Sequence, residues 1–193
     1  MSPAALALPH GLSLVAITEM EAPGWTALFR SAAPAHIPYH ARTPAERKLL
    51  GLRLDDAVMR ADRGVLLVAQ GASCFATAWW ARLSPASYVS RVAGALFFEP
   101  VEDERTNVDD LLDTFASPRT RLPFPSVVLG ADASRRDLLP SVRTIADSWG
   151  SRMVLDRHAD QDSPWRRTRR AIERFTLAVV ERDVRLVEAR LAR

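Results

Sequence analysis

The sequence predicts an α/β fold: a mainly parallel central sheet with helices on both faces, a three-layer sandwich. Two observations carry this. Val65-Leu66-Leu67-Val68-Ala69 and Val92 to Phe98 are continuous apolar runs, the mark of strands buried on both faces. Such runs alternate along the chain with stretches of helical character, which is the pattern of parallel strands joined by crossover helices.

Leu12 to Ile17 is apolar with β-branched residues and reads as the first strand. Trp25 to Arg30 opens a helix after the Pro23-Gly24 turn. Pro34, Pro38 and Pro44 then break the chain into loop and short extended pieces. Ala45 to Arg60 reads as a helix capped by Thr43 ahead of Pro44, with Leu49, Leu52, Val58 and Met59 near one face. Gly64 ends it, and the buried strand Val65 to Ala69 follows. A helix containing Phe75, Trp79 and Trp80 runs through Ala81, before the strand Val92 to Phe98. Glu99 to Arg121 is acidic and loop-rich, with a helical patch around Leu111 and Leu112. Pro125 to Leu129 is a fourth strand, Leu138 to Trp149 a helix ended by Gly150, and Met153-Val154-Leu155 a short last strand. Pro164 to Arg193 reads as one long arginine-rich helix.

The 193 residues suit one domain with a sizeable core, and 48% apolar with 25% charged residues is the balance of a soluble globular protein. No apolar run approaches a membrane span, and Met1 to His10 lacks the basic start of a secretory signal. Cys74 is the one cysteine, so no disulfide framework forms within a chain, and a cytoplasmic, reducing setting is expected. The 26 basic and 23 acidic residues leave a net charge of +3, too weak for a dedicated nucleic-acid binder. The basic character is almost all arginine; Lys48 is the only lysine.

In parallel sheets, ligands bind beyond the carboxyl ends of the strands. The loop after Ala69 runs Gln70-Gly71-Ala72-Ser73-Cys74. A nucleophile elbow needs small residues two before and two after its apex. Ala69 and Ser73 satisfy that rule around Gly71; the rival frame centred on Ser73 would put Phe75 in a slot too small for it. Gly71 can occupy a strained turn but offers no atom that attacks a substrate.

The segment Val65 to Cys74, continuing through Ala76-Thr77-Ala78-Trp79-Trp80-Ala81, is similar to the elbow of the retinoblastoma-binding protein 9 and YdeN family of small serine hydrolases, which reads V-L-V-A-H-S-L-G-C. Arg91-Val92-Ala93-Gly94-Ala95-Leu96 resembles that family's next strand, Pro123-Phe124-Pro125-Ser126-Val127-Val128 the strand leading to its acid, and Trp149-Gly150-Ser151-Arg152 the turn before its histidine strand. The likeness covers roughly residues 12 to 174 and implies an α/β-hydrolase fold of one minimal domain, residues 1–175, with 176–193 as a helical extension. It places the family's serine on Gly71 and the preceding histidine on Gln70. The glycine-rich oxyanion loop becomes Ala16-Ile17-Thr18-Glu19, where Glu19 brings negative charge to a place that must stabilise an anion. The acid falls on Ala133, with Asp132 one residue early, and the histidine survives as His158. The resemblance therefore implies a degenerate hydrolase, inactive, that binds a partner or ligand, with Ile17, Glu19, Gln70, Gly71 and His158 around the former site. The alternative is an active esterase-type serine hydrolase using Ser73 with His158 and Asp132.

Other constellations are weaker. His158, Asp160 and Asp162 lie on one stretch and do not make the convergent ligand set a metal needs, so no metal or cofactor is expected. His36 and His40 flank a proline loop. Cys74 sits at a helix start, where a thiolate is favoured, but the resemblance makes it a packing residue. Glu102, Asp103, Glu104, Asp109, Asp110 and Asp113 read as a solvated acidic face, and Arg166, Arg167, Arg169 and Arg170 as a basic one. In the extension, Leu177, Val180, Val184, Val187 and Leu191 recur at alternating spacings of three and four. That heptad-like seam either packs on the domain's own sheet or joins a partner, most simply a second copy in a homodimer.

Overall fold

The computed structural model describes residues 12–19, 35–101, 107–115, 120–130 and 137–155. Their strands are β1 (Leu12–Thr18), β2 (Ala35–Pro38), β3 (Gly64–Gln70), β4 (Val92–Phe98), β5 (Ser126–Gly130) and β6 (Arg152–Leu155). Their helices are α1 (Pro44–Arg60), α2 (Ser73–Leu83), α3 (Ala86–Val89), α4 (Val108–Thr114) and α5 (Leu139–Trp149). The strands form one sheet in the order β2-β1-β3-β4-β5-β6, with every neighbouring pair parallel. This is the α/β-hydrolase-like architecture expected. From β2 onward each connection steps the same way across the sheet, and right-handed crossovers of one sense put their helices on one face. Accordingly α1, α2 and α5 share a core with Val15, Ile17, Val65, Leu67, Ala69, Ala95, Phe97 and Val128.

The opposite face is built from Leu14, Ala16, Leu66, Val68 and Leu96, all buried, and its cluster contains no residue of a described helix. The helices expected at Trp25 to Arg30 and from Pro164 onward lie outside the described residues.

Two elements differ from expectation. β2 stands where proline-broken extended pieces are read. It is four residues long, buries only Ile37, and ends on Pro38. An edge strand tolerates proline at its end because the missing N–H faces no further strand. In α1, Thr43 forms the expected cap and more: its Oγ1 accepts from the Glu46 N–H at 3.2 Å while the Glu46 carboxylate accepts from the Thr43 N–H at 2.8 Å. These bonds hold the Glu46 carboxyl below its ordinary range. The inward face, however, is Leu50, Leu54 and Val58. Leu49, Leu52 and Met59, read as inward, are 47%, 56% and 49% exposed. The helix carries apolar residues on two faces, and the unbroken four-residue column at 50, 54 and 58 stacks along one side of the helix as i,i+4 neighbours do.

The core is aromatic at its centre. Trp149 packs on Phe75 and Phe97 with ring centroids 5.5 and 4.9 Å apart, and its indole N–H has no hydrogen-bond partner among the described residues, at a cost of about 1–3 kcal/mol. The layers are pinned by side chains. The Trp80 indole donates to Asp55 Oδ1 at 2.8 Å, joining α2 to α1. The Arg91 guanidinium donates to the carbonyls of Val58 and Ala61, closing the carboxyl end of α1. Gly150 ends α5 in a left-handed conformation, φ 65°, and a Cβ there would lie 2.6 Å from Arg121 Nε. Both conditions call for glycine.

Candidate functional site

The crevice beyond the carboxyl ends of β1, β3 and β4 is the place where this topology puts a ligand, since β1 to β2 and β2 to β3 run in opposite directions across the sheet. Its centre is the turn between β3 and α2. The strand ends at Gln70, Gly71 and Ala72 make the turn, and α2 starts at Ser73. Gly71 has φ 62°, the left-handed region that side chains disfavour. Its N–H donates to the Phe98 carbonyl on β4 at 3.1 Å, and its own carbonyl accepts from the Cys74 N–H at 3.1 Å. The flanks Ala69 and Ser73 are both fully buried. The backbone is therefore that of an elbow with Gly71 at the apex.

Ser73 is placed differently. It is 0% exposed. Its Oγ lies 2.8 Å from the Ile17 carbonyl and 2.7 Å from the Gln70 carbonyl, and accepts from the Gln70 N–H at 3.0 Å. With one proton, the hydroxyl donates to either carbonyl in turn. It ties the end of β1 to the end of β3 under the turn. Thr77 Oγ1 donates to the Ser73 carbonyl at 2.8 Å, continuing the same buried polar chain.

Around the apex, Ile17 is wholly buried and offers the crevice no exposed side chain, although its carbonyl anchors Ser73. Glu19 is exposed at the end of β1, and Gln70 is half-buried beside the apex. Cys74 is buried with its thiol 3.7 Å from the Phe98 carbonyl, a packing position. Asp132, Ala133 and His158 lie outside the described residues, as do Asp160, Asp162, Glu102, Asp103, Glu104 and the seam from Leu177 to Leu191. His36 Nε2 is 2.9 Å from Thr18 Oγ1, joining β2 to β1. Asp109 and Asp110 occupy the first turn of α4, where Asn107 Oδ1 accepts from both their N–H groups, a favourable helix start for acidic residues. Among the described residues, no group of three or more His, Cys, Asp or Glu side chains is arranged to hold a metal. No described helix is long and apolar enough to cross a membrane.

Two residues of the crevice are not legible in the sequence. Tyr39 follows β2, its N–H bonded to the Thr18 carbonyl at 2.8 Å and its ring 6.4 Å from that of Phe115. Burial pushes its phenol up to about 12, helped by the negative charge of Glu19 and opposed by Arg47. Glu99, directly after β4, is the one non-glycine among the described residues with positive φ, 43°, held by its N–H on the Leu129 carbonyl at 3.0 Å. No residue-type pattern announces a strained glutamate; in the sequence it is the first of an acidic run. Glu19 and Glu99 close the ends of β1 and β4 on either side of β3, so the mouth carries negative charge where acyl-transfer chemistry needs the reverse.

Two clefts lie away from this crevice. One, of about 580 Å³, is at the amino ends of β3 to β5, lined by Gly64, Arg91, Val92 and Pro125. The other, of about 650 Å³, runs between β1, β2 and α1 beside Val15, Ile37 and Ala57.

Tyr39 gives a direct readout of the mouth. The phenolate absorbance of the wild type minus that of Tyr39→Phe should show one step at about 12, and Glu19→Gln should move that step down. Because the folded-state value is raised, the stability linked to Tyr39 is present below an ordinary tyrosine value and is lost as pH rises toward 12. A step near 10, the ordinary value, would show that the ring is not enclosed.

The serine hydrolase family model matches residues 25–165. A crystal structure described as a YdeN-like hydrolase, from Pectobacterium atrosepticum, superposes with a TM-score of 0.62 at 15% identity, over 89% of this chain and 94% of that one. At that identity the likeness bears on the fold. No curated protein sequence matches the chain.

Proposed function

Because the chain belongs to the serine hydrolase family, we propose that it is a member that keeps the α/β-hydrolase scaffold without the chemistry and serves as a binding or regulatory module. One observation carries this: the apex of the elbow is Gly71, at φ 62°, and the hydroxyl that follows it in the chain, Ser73, is buried on backbone carbonyls. A nucleophile must reach substrate and a base, and an enclosed hydroxyl bonded to backbone does neither. The exposed Glu19 at the oxyanion loop supports the same conclusion. The ligand class that suits Glu19, Gln70 and the apex is a neutral or cationic group, with Ile17 and His158 as the remaining candidates.

Labelling by a fluorophosphonate probe tests the proposal. Wild-type protein should remain unlabelled and turn over no short acyl ester. Stoichiometric labelling that vanishes in Ser73→Ala would establish the esterase alternative, with His158 and Asp132 as its partners.

For partners, the seam Leu177, Val180, Val184, Val187 and Leu191 is the proposed contact, with a second copy as the simplest occupant. The 30 residues from Pro164 to Arg193 would span about 45 Å as one helix, whereas a seven-residue strand spans about 23 Å. The buried face of Leu14, Ala16, Leu66, Val68 and Leu96 has no described helix over it. The single, buried Cys74 supports a reducing, cytoplasmic setting.

A further inference from the structure

We draw no further inference here: the strongest candidate, the cleft of about 650 Å³ where the edge strand β2 meets α1, sets Arg53 and Arg60 against Asp56 and Asp62 around it, with Asp56 and Arg60 already joined to each other, and nothing in the structure shows what ligand or partner would fill it.

Discussion

Ser73→Ala will lower the stability of the protein by about 2–4 kcal/mol, a fall in thermal midpoint of roughly 5–15 °C for a chain of this size, without altering any catalytic property. The hydroxyl is fully enclosed and serves three backbone groups: it accepts from the Gln70 N–H and donates in alternation to the carbonyls of Ile17 and Gln70. Alanine removes all of these bonds at a fully buried position. The loss falls at the junction of β1, β3 and α2, whose strands share a six-residue register from Leu12 to Ile17. Thermal unfolding followed by circular dichroism measures it. A change under about 0.5 kcal/mol, the level of an ordinary surface substitution, would mean that the hydroxyl holds nothing together. A parallel loss of ester hydrolysis would instead make Ser73 the nucleophile.

Gly71→Ser, which puts a hydroxyl at the apex, will not restore an efficient hydrolase. Two effects act together. A side chain at φ 62° costs about 1–2 kcal/mol, a strain that an active elbow carries with the support of its surroundings. On the proposed reading the remaining machinery is also incomplete. Glu19 is exposed at the end of β1, in the loop that would have to stabilise the oxyanion, and the sequence offers Ala133 at the position of the acid. Triad residues act as a unit, and each one missing removes most of the whole effect. The expected kcat/KM toward a short acyl ester is at least about a thousandfold below that of a complete triad enzyme. Steady-state kinetics and fluorophosphonate labelling measure this together. Rapid stoichiometric labelling of Gly71→Ser, with turnover near that of an intact esterase, would mean that nucleophile loss alone had silenced the site and that the acid and oxyanion elements persist.

Much of the elbow was written in local sequence. The small flanks Ala69 and Ser73 and the central Gly71 follow from steric limits that operate within five residues, and the backbone obeys them. The roles of Tyr39 and Glu99 were not written there. Tyr39 reaches the mouth because β2 pairs with β1 and brings its loop beside Glu19. Glu99 is strained because the Leu129 carbonyl, thirty residues onward, takes its N–H. Both depend on contacts between segments far apart in the chain, and periodicity carries no record of those.

By itself the sequence determined the parallel α/β class, the buried strands at Val65 to Ala69 and Val92 to Phe98, the Thr43 cap, the Gly150 stop and the glycine at the apex. Each is set by a rule of short range: a two-faced apolar run, a capping hydroxyl, a left-handed turn. Tertiary structure alone decided three other matters. It made Ala35–Pro38 an edge strand, because β1 offered it a hydrogen-bonding edge. It turned α1 so that Leu50, Leu54 and Val58 face the core and Leu49, Leu52 and Met59 face out, because two apolar stripes competed for one interior. And it enclosed Ser73, since a hydroxyl becomes a structural tie only when another strand's carbonyl arrives within hydrogen-bonding reach and water is shut out.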